Sequence, residues 1–513
     1  MGEKTVKLYF TSDVHGCFSP MSWAGRNQEN MGLLHCAGQF HKDENTLILD
    51  GGDALQGSPF TAYCHDCEKS PLPVAHLMNL CGYDYVTLGN HDFNFGVSYL
   101  TRYIDGLQAD CLCENLVRQD GTAAYPGKIR VMGNGIRIGI VGIVTDYINI
   151  WEKPEHLEGY QVTDPFTAAR RALEALKGRV DLTVCIYHGG FERDLDTGRR
   201  LSSTTEDIGY RICQELDFDI LLTGHQHMSV SGREVWGTFT VQPSENAREF
   251  HEITVSFGEK VKITSEKRMA AGAAPAELAR AIESWNAPLQ KWLDTPVGSL
   301  ERPLLPDTRL NMASRGSEIA AFFNQVQLDF SGAQLSATSL ANEISGIPQS
   351  VRRRDVLTTY PYQNTLKVLE ITGAVLREAL EHSAAYFALD RDGTLRISEA
   401  FLKPKVEHYN YDYFAGVTYT VDPARPVGSR VVTLMREGQP VRPDQVLTIC
   451  VSDYRASGAG GYEMYAQCRV LREYDREMSD IIMEYFEAHK TIPPLGPPNY
   501  SVITGNLEAH SAD

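Results

Sequence analysis

The sequence predicts an α/β fold in two domains, and three features predict it. Short apolar runs recur through the first half, each ending at once in a Gly-flanked group of Asp, Asn or His. Amphipathic, Ala-rich stretches such as Thr167 to Lys177 lie between several of these runs. The pattern then changes near residue 272, after which helices and strands mix in another order. A chain of 513 residues is also too long for one core. The expected domains are residues 1–272 and 273–513.

Val6 to Phe10 alternates as a strand does, and Asp13-Val14-His15-Gly16 comes directly after it. Thr46 to Leu49 is a second strand, ending in Asp50-Gly51-Gly52-Asp53. Tyr85 to Leu88 is a third, and it turns at Gly89 into Asn90-His91-Asp92. Ile136 to Val141 is a further strand, as is Asp181 to Tyr187, which ends in His188-Gly189. Phe218 to Leu222 ends in Gly224-His225-Gln226-His227. Three β runs, Phe239 to Val241, Ile253 to Val255 and Val261 to Ile263, read as the far layer of the first domain. Ala276 to Leu293 reads as a linker helix broken or kinked at Pro288. Beyond it, Ser317 to Val326 and the Thr-capped stretch Thr372 to Tyr386 are helical. Phe414 to Val421, Arg430 to Leu434 and Val446 to Val451 are strands.

Composition narrows the function classes. Hydrophobic residues make up 42% and charged residues 22%, as in a soluble globular protein. The net charge of -18 argues against a nucleic-acid duplex as partner, which requires a basic face. No apolar run is long enough to span a membrane. Met1-Gly2-Glu3-Lys4 runs straight into a strand without a signal peptide, and the eleven scattered cysteines suit a reducing, cytoplasmic compartment. A chain trimmed of an export signal would begin in the same way. Oligomeric state has no signature here.

The polar groups carry the chemistry. Open α/β sheets gather ligand sites at the carboxyl ends of their strands, so these groups converge in one crevice. The seven best-placed ligands are Asp13, His15, Asp53, Asn90, His188, His225 and His227. Asp, Asn and His without thiolate suit Mn, Zn, Fe or Co, with Mg also admissible. Seven ligands are too many for one tetrahedral ion. With Asp53 bridging, each of two divalent metal ions receives four protein ligands, and ions about 3.5–4 Å apart activate water against a phosphate ester. His91 then stands beside the site as proton donor, and Asp92 orients a neighbour. Cys64-x2-Cys67 lacks a second pair at zinc-finger spacing. Arg352 to Arg354 is a charge run on a solvated face from which one member could reach the site.

These blocks resemble those of the calcineurin-like metallophosphoesterases. The second half, through Tyr360 to Leu366 and Tyr454 to Tyr462, is similar to the C-terminal domain of the 5′-nucleotidases. The resemblance implies a four-layer α/β/β/α metallophosphoesterase domain followed by an α+β 5′-nucleotidase-type C-terminal domain. It also implies a base held between Tyr362 and Tyr454, with Asn364 and Arg455 among the substrate contacts. Two departures point within the family. Asn94 stands where the 5′-nucleotidases carry an Asp paired with the catalytic His, and Gly460 stands where they carry an Asp near the ribose hydroxyls. Their phosphate-binding Arg has no match around Glu343. Asn94 and the Tyr-Arg-Ala-Ser-Gly stretch resemble the branch of 2′,3′-cyclic-nucleotide 2′-phosphodiesterase/3′-nucleotidases. The expected activity is thus dimetal hydrolysis of a small-molecule nucleotide substrate. The alternatives are a 5′-nucleotidase or nucleotide-sugar hydrolase of the same fold and, in another class, a non-catalytic nucleotide-binding protein.

Overall fold

The computed structural model describes residues 4–19, 31–201, 205–362, 364–403, 405–474 and 476–503. Met1 to Glu3, which the sequence suggests lead into the first strand, lie outside the described residues. The chain forms two compact units, Met1–Trp292 and Leu293–Asp513.

The first unit holds two six-stranded sheets. In the first, Lys4–Thr11, Thr46–Asp50, Tyr85–Val86 and Asp110–Cys111 are successive parallel neighbours. In the second, Arg137–Val144, Leu182–His188, Ile220–Thr223 and Thr238–Gln242 run parallel in that order. Alternation along the strands builds the layers. Leu8, Leu49, Ile140, Val184 and Leu222 meet in a core between the sheets. Val141, Ile143, Cys185, Tyr187 and Leu221 face the other way, onto residues of helices Pro165–Leu176 and Gly209–Glu215. The expected layering is present, because strands covered on both faces must read as nearly continuous apolar runs.

The late β runs behave differently from the expected far layer. Thr238–Gln242 joins the second sheet, whereas Glu249–Phe257 crosses to pair antiparallel with Lys4–Thr11, and Val261–Met269 extends that edge. Both sheets had open edges, and edge pairing satisfies backbone groups that a separate layer would leave bare. Helix Ala276–Leu293 runs unbroken through Pro288. Its Trp285 and Trp292 rings meet Phe60 and Tyr63 at 6.0 and 5.7 Å. This packing places the helix with the first unit, past the expected boundary near residue 272.

The second unit has a five-stranded sheet ordered Asp412–Ala415, Leu335–Ser339, Val446–Ser452, Leu366–Thr372, Arg469–Glu473. Thr372 caps helix Gly373–Ala384 through its side chain, as its sequence signals. The run Phe414 to Val421 is two strands, because Gly416 turns the chain at φ 87°.

One buried group makes an acid-sensitivity test. His251 sits opposite Phe10 in the first sheet and is fully buried. Burial pushes its imidazole down from 6.5 to about 4, helped by Lys267 and opposed by Glu249 and the Gln242 backbone. The folded state therefore binds fewer protons than the unfolded chain between those values, and stability present above about 6.5 is lost as pH falls toward 4. The loss is on the order of 3 kcal/mol across that window. His251→Leu is expected to flatten this part of the stability–pH curve, measured by urea unfolding from pH 7 to 4.5. Parallel curves for wild type and variant would assign the acid lability to other groups.

Candidate metal centre and base-binding loops

The parallel strands end on the same side of each sheet, and the polar groups sit just past those ends. Asp13, Asp53 and His188 are buried completely or nearly so, and His15 and Asn90 are buried as well. Five of the seven expected ligands adopt left-handed backbone: Asp13 (φ 55°), His15 (49°), Asp53 (61°), His225 (68°) and His227 (58°). Each such residue costs about 1 kcal/mol or more, a strain characteristic of functional sites. The two loops of the first sheet touch backbone to backbone. A Cβ on Gly52 would strike Gly89, and one on Gly89 would strike Asp53. Asp92 stitches these loops together by accepting from the backbone N–H groups of Asp53, Ala54, Leu55 and Gly89, at 2.8–2.9 Å. Asp92 thus braces the two loops through four backbone N–H groups.

All seven side chains come together. The Nε2 atoms of His15 and His227 are 3.3 Å apart, and His227 Nε2 lies 3.2 Å from Asp13 Oδ1. His188 Nε2 lies 3.3 Å from Asp53 Oδ2, 3.2 Å from Asn90 Oδ1 and 3.9 Å from Asp13 Oδ1. His225 Nδ1 lies 2.9 Å from Asn90 Oδ1. Two ligand groups result, Asp13–His15–His227 and Asp13–Asp53–His188, with Asp13 common to both. Neither contains Cys64 or Cys67.

The outer partners decide what this cluster wants. His15 Nδ1 donates to the Gln56 carbonyl at 2.9 Å, and His188 Nδ1 donates to the Gly51 carbonyl at 2.7 Å. His225 Nε2 faces Glu206 Oε1 at 2.9 Å. Each pairing turns the other ring nitrogen, as a lone pair, toward the centre. Lone pairs of imidazole, carboxylate and amide then face one another. A cation among them suits that geometry, so the donor set fits metal ions. The electrostatics agree. Burial opposes charge on His188, yet Asp53 and Asp13 raise it to about 10, so a proton supplies positive charge there by default. Burial also opposes charge on Asp13, but His188 and His227 hold its carboxyl below the usual range. Burial takes His15 down to about 4 against the pull of Asp53.

His91 lies beside the cluster. Its backbone N–H donates to Asp53 Oδ1 at 2.7 Å, and its ring centroid is 5.6 Å from that of His15. Asp50, a strand-end residue, is buried and accepts from Thr11 and Gly52; burial raises it to about 7. Glu206 and Trp151, whose ring stacks 5.6 Å from His225, escaped the sequence reading. Neither lies in a motif, and only the chain path brings them in.

In the second unit, antiparallel pairing of Leu366–Thr372 with Val446–Ser452 sets Leu366 opposite Ser452. The loop before the first strand and the segment after the second therefore share one end of the sheet, and Asp453 N–H bonds the Thr365 carbonyl at 3.0 Å. Tyr362 and Tyr454 sit in these loops, both half-buried. Asn364 and Arg455 line one cavity with Tyr360, Asp412 and Ser452. Arg455, expected among the substrate contacts, is held inside the protein. Its guanidinium is buried and forks onto Asp412 at 2.8 and 3.0 Å, with the Tyr409 and Ala459 carbonyls taking further N–H groups. All of its donors are engaged within the protein. Gly460 is explained by the same fork: its φ is +68°, and a Cβ there would collide with Arg455 Nη1 and Asn410 Oδ1. Two cations missed in the sequence reading, Lys405 and Arg309, act on Tyr362 together with Arg455. Burial raises its phenol to about 12, and Lys405, Arg455 and Arg309 act against that rise. Arg309 is anchored on the Ala341 and Asn342 carbonyls, close to where an Arg was sought around Glu343. In the Arg run, Arg352 and Arg354 both pair with Asp294, and Arg354 is buried.

Known protein families match both units. Residues 6–229 match the calcineurin-like phosphoesterase family, and residues 296–467 match the 5′-nucleotidase C-terminal domain. A Staphylococcus aureus protein described as a 5′-nucleotidase, solved in complex with alpha-ketoglutarate, superposes with a TM-score of 0.90. It is 32% identical over 97% of this chain and 100% of its own. The 2′,3′-cyclic-nucleotide 2′-phosphodiesterase/3′-nucleotidase of Haemophilus influenzae is 24% identical over 98% of this chain and 88% of its own. The trifunctional nucleotide phosphoesterase of Bacillus subtilis is 25% identical over 97% of this chain, which spans 39% of that protein's length. Matched over nearly its whole length by a 32% identical structure, the chain belongs to the 5′-nucleotidase family of calcineurin-like phosphoesterases, which are metal-dependent phosphoester hydrolases.

Proposed function

We propose that this chain hydrolyses nucleotide phosphate esters at a two-metal centre, with 2′,3′-cyclic and 3′-nucleotides preferred over 5′-nucleotides. The observation that carries the reading is the inward convergence of lone pairs from Asp13, His15, Asp53, Asn90, His188, His225 and His227. These residues would hold two divalent ions, of which Mn, Zn, Fe and Co suit the donors. Such ions, when bound, supply Lewis-acid activation of water and neutralise charge on the phosphoryl group. The protein's own residues do the rest. His91 protonates the departing ribose oxygen or steadies the charge that develops on it. Tyr362 and Tyr454 hold the base, and Asn364 reads its edge. Arg455 positions the Tyr454 loop through Asp412 and does not itself grip substrate.

The preference for phosphate at the 2′ and 3′ positions rests on Gly460, which presents no carboxylate to repel it. The Haemophilus influenzae relative carries a matching description. The description of the Staphylococcus aureus protein favours the second reading, a 5′-nucleotidase. A non-catalytic nucleotide-binding protein would not need all seven ligands, and all seven are present. No helix among the described residues is long and apolar enough to cross a membrane. The odd number and scattered placement of the eleven cysteines support a reducing compartment.

The metal centre is tested first. Asp53→Asn is expected to abolish turnover and lower bound metal, measured by elemental analysis of the purified protein. Full metal content with wild-type turnover would remove Asp53 from the centre. His91→Ala has another signature: metal content stays, and kcat falls about 10²–10⁴-fold. An emptied metal site in that variant would make His91 a ligand. Substrate choice is read from a panel of 2′,3′-cyclic, 3′- and 5′-nucleotides assayed with Mn and with Zn. Higher kcat/KM is expected for the first two, for purines and pyrimidines alike. Tyr362→Ala and Tyr454→Ala should each weaken binding by about 1–3 kcal/mol per stacked ring. A tenfold preference for 5′-AMP over 2′,3′-cyclic AMP would establish the second reading. Gly460→Asp is not a test of phosphate repulsion, because its side chain would first displace the Arg455 fork.

A further inference from the structure

The geometry points to Glu152 as a positioning residue for His91, acting through the amide of Asn94. The inference rests on the proton-donor role proposed for His91. His91 Nδ1 lies 2.8 Å from Asn94 Oδ1, and Asn94 Nδ2 donates to Glu152 Oε1 at 2.5 Å. The second carboxylate oxygen, Oε2, lies 2.6 Å from His156 Nδ1. The Glu152 side chain is only 7% exposed, so this chain of contacts is built into the fold and is not a surface accident.

Proton positions are set from the outside inward. A carboxylate only accepts hydrogen bonds, so the NH2 end of Asn94 must face Glu152. The amide oxygen then faces His91, and Nδ1 must carry the proton between them. With Nδ1–H committed, Nε2 is the nitrogen left to exchange a proton with a substrate. Where related enzymes are expected to place a carboxylate directly on this histidine, this chain moves the carboxylate one residue outward and interposes an amide. An Asp at position 94 would instead face the Glu152 carboxylate across the same short gap, two like charges in a half-buried setting. Asn94 is therefore required by Glu152, and neither makes sense alone.

Glu152 is itself held from both sides. It closes the short helix Ile148–Trp151, and His156 belongs to the turn Pro154–Leu157. Trp151, the residue before it, stacks on the His225 ring. One short segment thus braces a metal-ligand histidine and the proton-donor histidine together.

In the reaction, water oxygen bonds to phosphorus and releases one proton to solvent, from which His91 is reprotonated after turnover, as the bond from phosphorus to the ribose oxygen breaks. The proton on His91 Nε2 passes to that oxygen, leaving His91 neutral with its Nδ1–H still on Asn94. The relay matters only where the leaving oxygen needs a proton. A nitrophenolate leaves without one, whereas a ribose alkoxide does not.

The test compares the Mn-loaded enzyme with its Glu152→Ala, Glu152→Asp and Asn94→Leu variants on a 3′-nucleotide and on p-nitrophenyl phosphate. For Glu152→Ala and Asn94→Leu, kcat on the nucleotide should fall about 10–100-fold, the usual consequence of losing such an outer partner. KM and metal content should stay, and p-nitrophenyl phosphate turnover should fall much less. Glu152→Asp should recover part of the loss. Equal losses on both substrates, or none on either, would overturn the relay. A wild-type enzyme that hydrolyses neither substrate would overturn the proposed function and the relay with it. A readout that needs no variant is the 15N NMR spectrum of neutral His91 in the zinc-loaded wild type. The Nδ1–H tautomer is expected, and the Nε2–H tautomer would overturn the proposal.

Discussion

Lone pairs that face lone pairs are the constraint on which the first unit depends. Oxygens of Asp13, Asp53 and Asn90 and ring nitrogens of His15, His188, His225 and His227 point at one another within hydrogen-bonding distances. Without a metal ion, protons must supply the positive charge that these groups share, as on His188. Such a cluster survives only because its surroundings over-determine it. The backbone is forced left-handed at five of its members, two glycine loops meet without room for a Cβ, and the Asp92 carboxylate ties those loops through four N–H groups. The fold carries this strain because the strands that end there are covered on both faces and cannot shift.

The outer partners then decide chemistry. Backbone carbonyls of Gln56 and Gly51 and the carboxylate of Glu206 each take one nitrogen of a histidine and leave the other bare. The same device recurs on His91, with Asn94 in the place of the carbonyl and Glu152 behind it. Four histidines thus each have one ring nitrogen held by an outer partner. Asp92, in the same motif as His91, accepts four backbone N–H groups, while the His91 ring lies beside the cluster.

The second unit solves a different problem with a buried ion pair. Arg455 and Asp412 are both almost completely buried, and the fork of Arg455 also ties down the Tyr409 and Ala459 carbonyls. Removing either partner would leave a buried charge, at a cost of about 3–5 kcal/mol. The pair therefore shapes the loop that carries Tyr454 and leaves no room for a side chain at position 460. The absence of a carboxylate at position 460 thus has a packing cause.

The sequence by itself determined the strands that carry the polar groups of the first unit, the order of those groups and the seven residues that the cluster brings together. It could do so because strand burial is written as apolar runs, and because a sheet gathers at one edge the loops that leave its parallel strands. The left-handed backbone at Asp13 or His227 could be reached only through the tertiary structure, since nothing in an Asp or a His announces it. The same holds for Glu206, Trp151 and Glu152, which lie outside every motif and meet their histidines only because of the path of the chain. Arg455 shows the limit from the other side. The resemblance implied that it contacts substrate, and only the fold, by burying Asp412 against it, showed its charge paired inside the protein. Edge pairing decided the late β runs, and packing of Trp285 and Trp292 decided the linker helix. In each case the deciding contact joins residues far apart in the chain, and local pattern holds no record of such a contact.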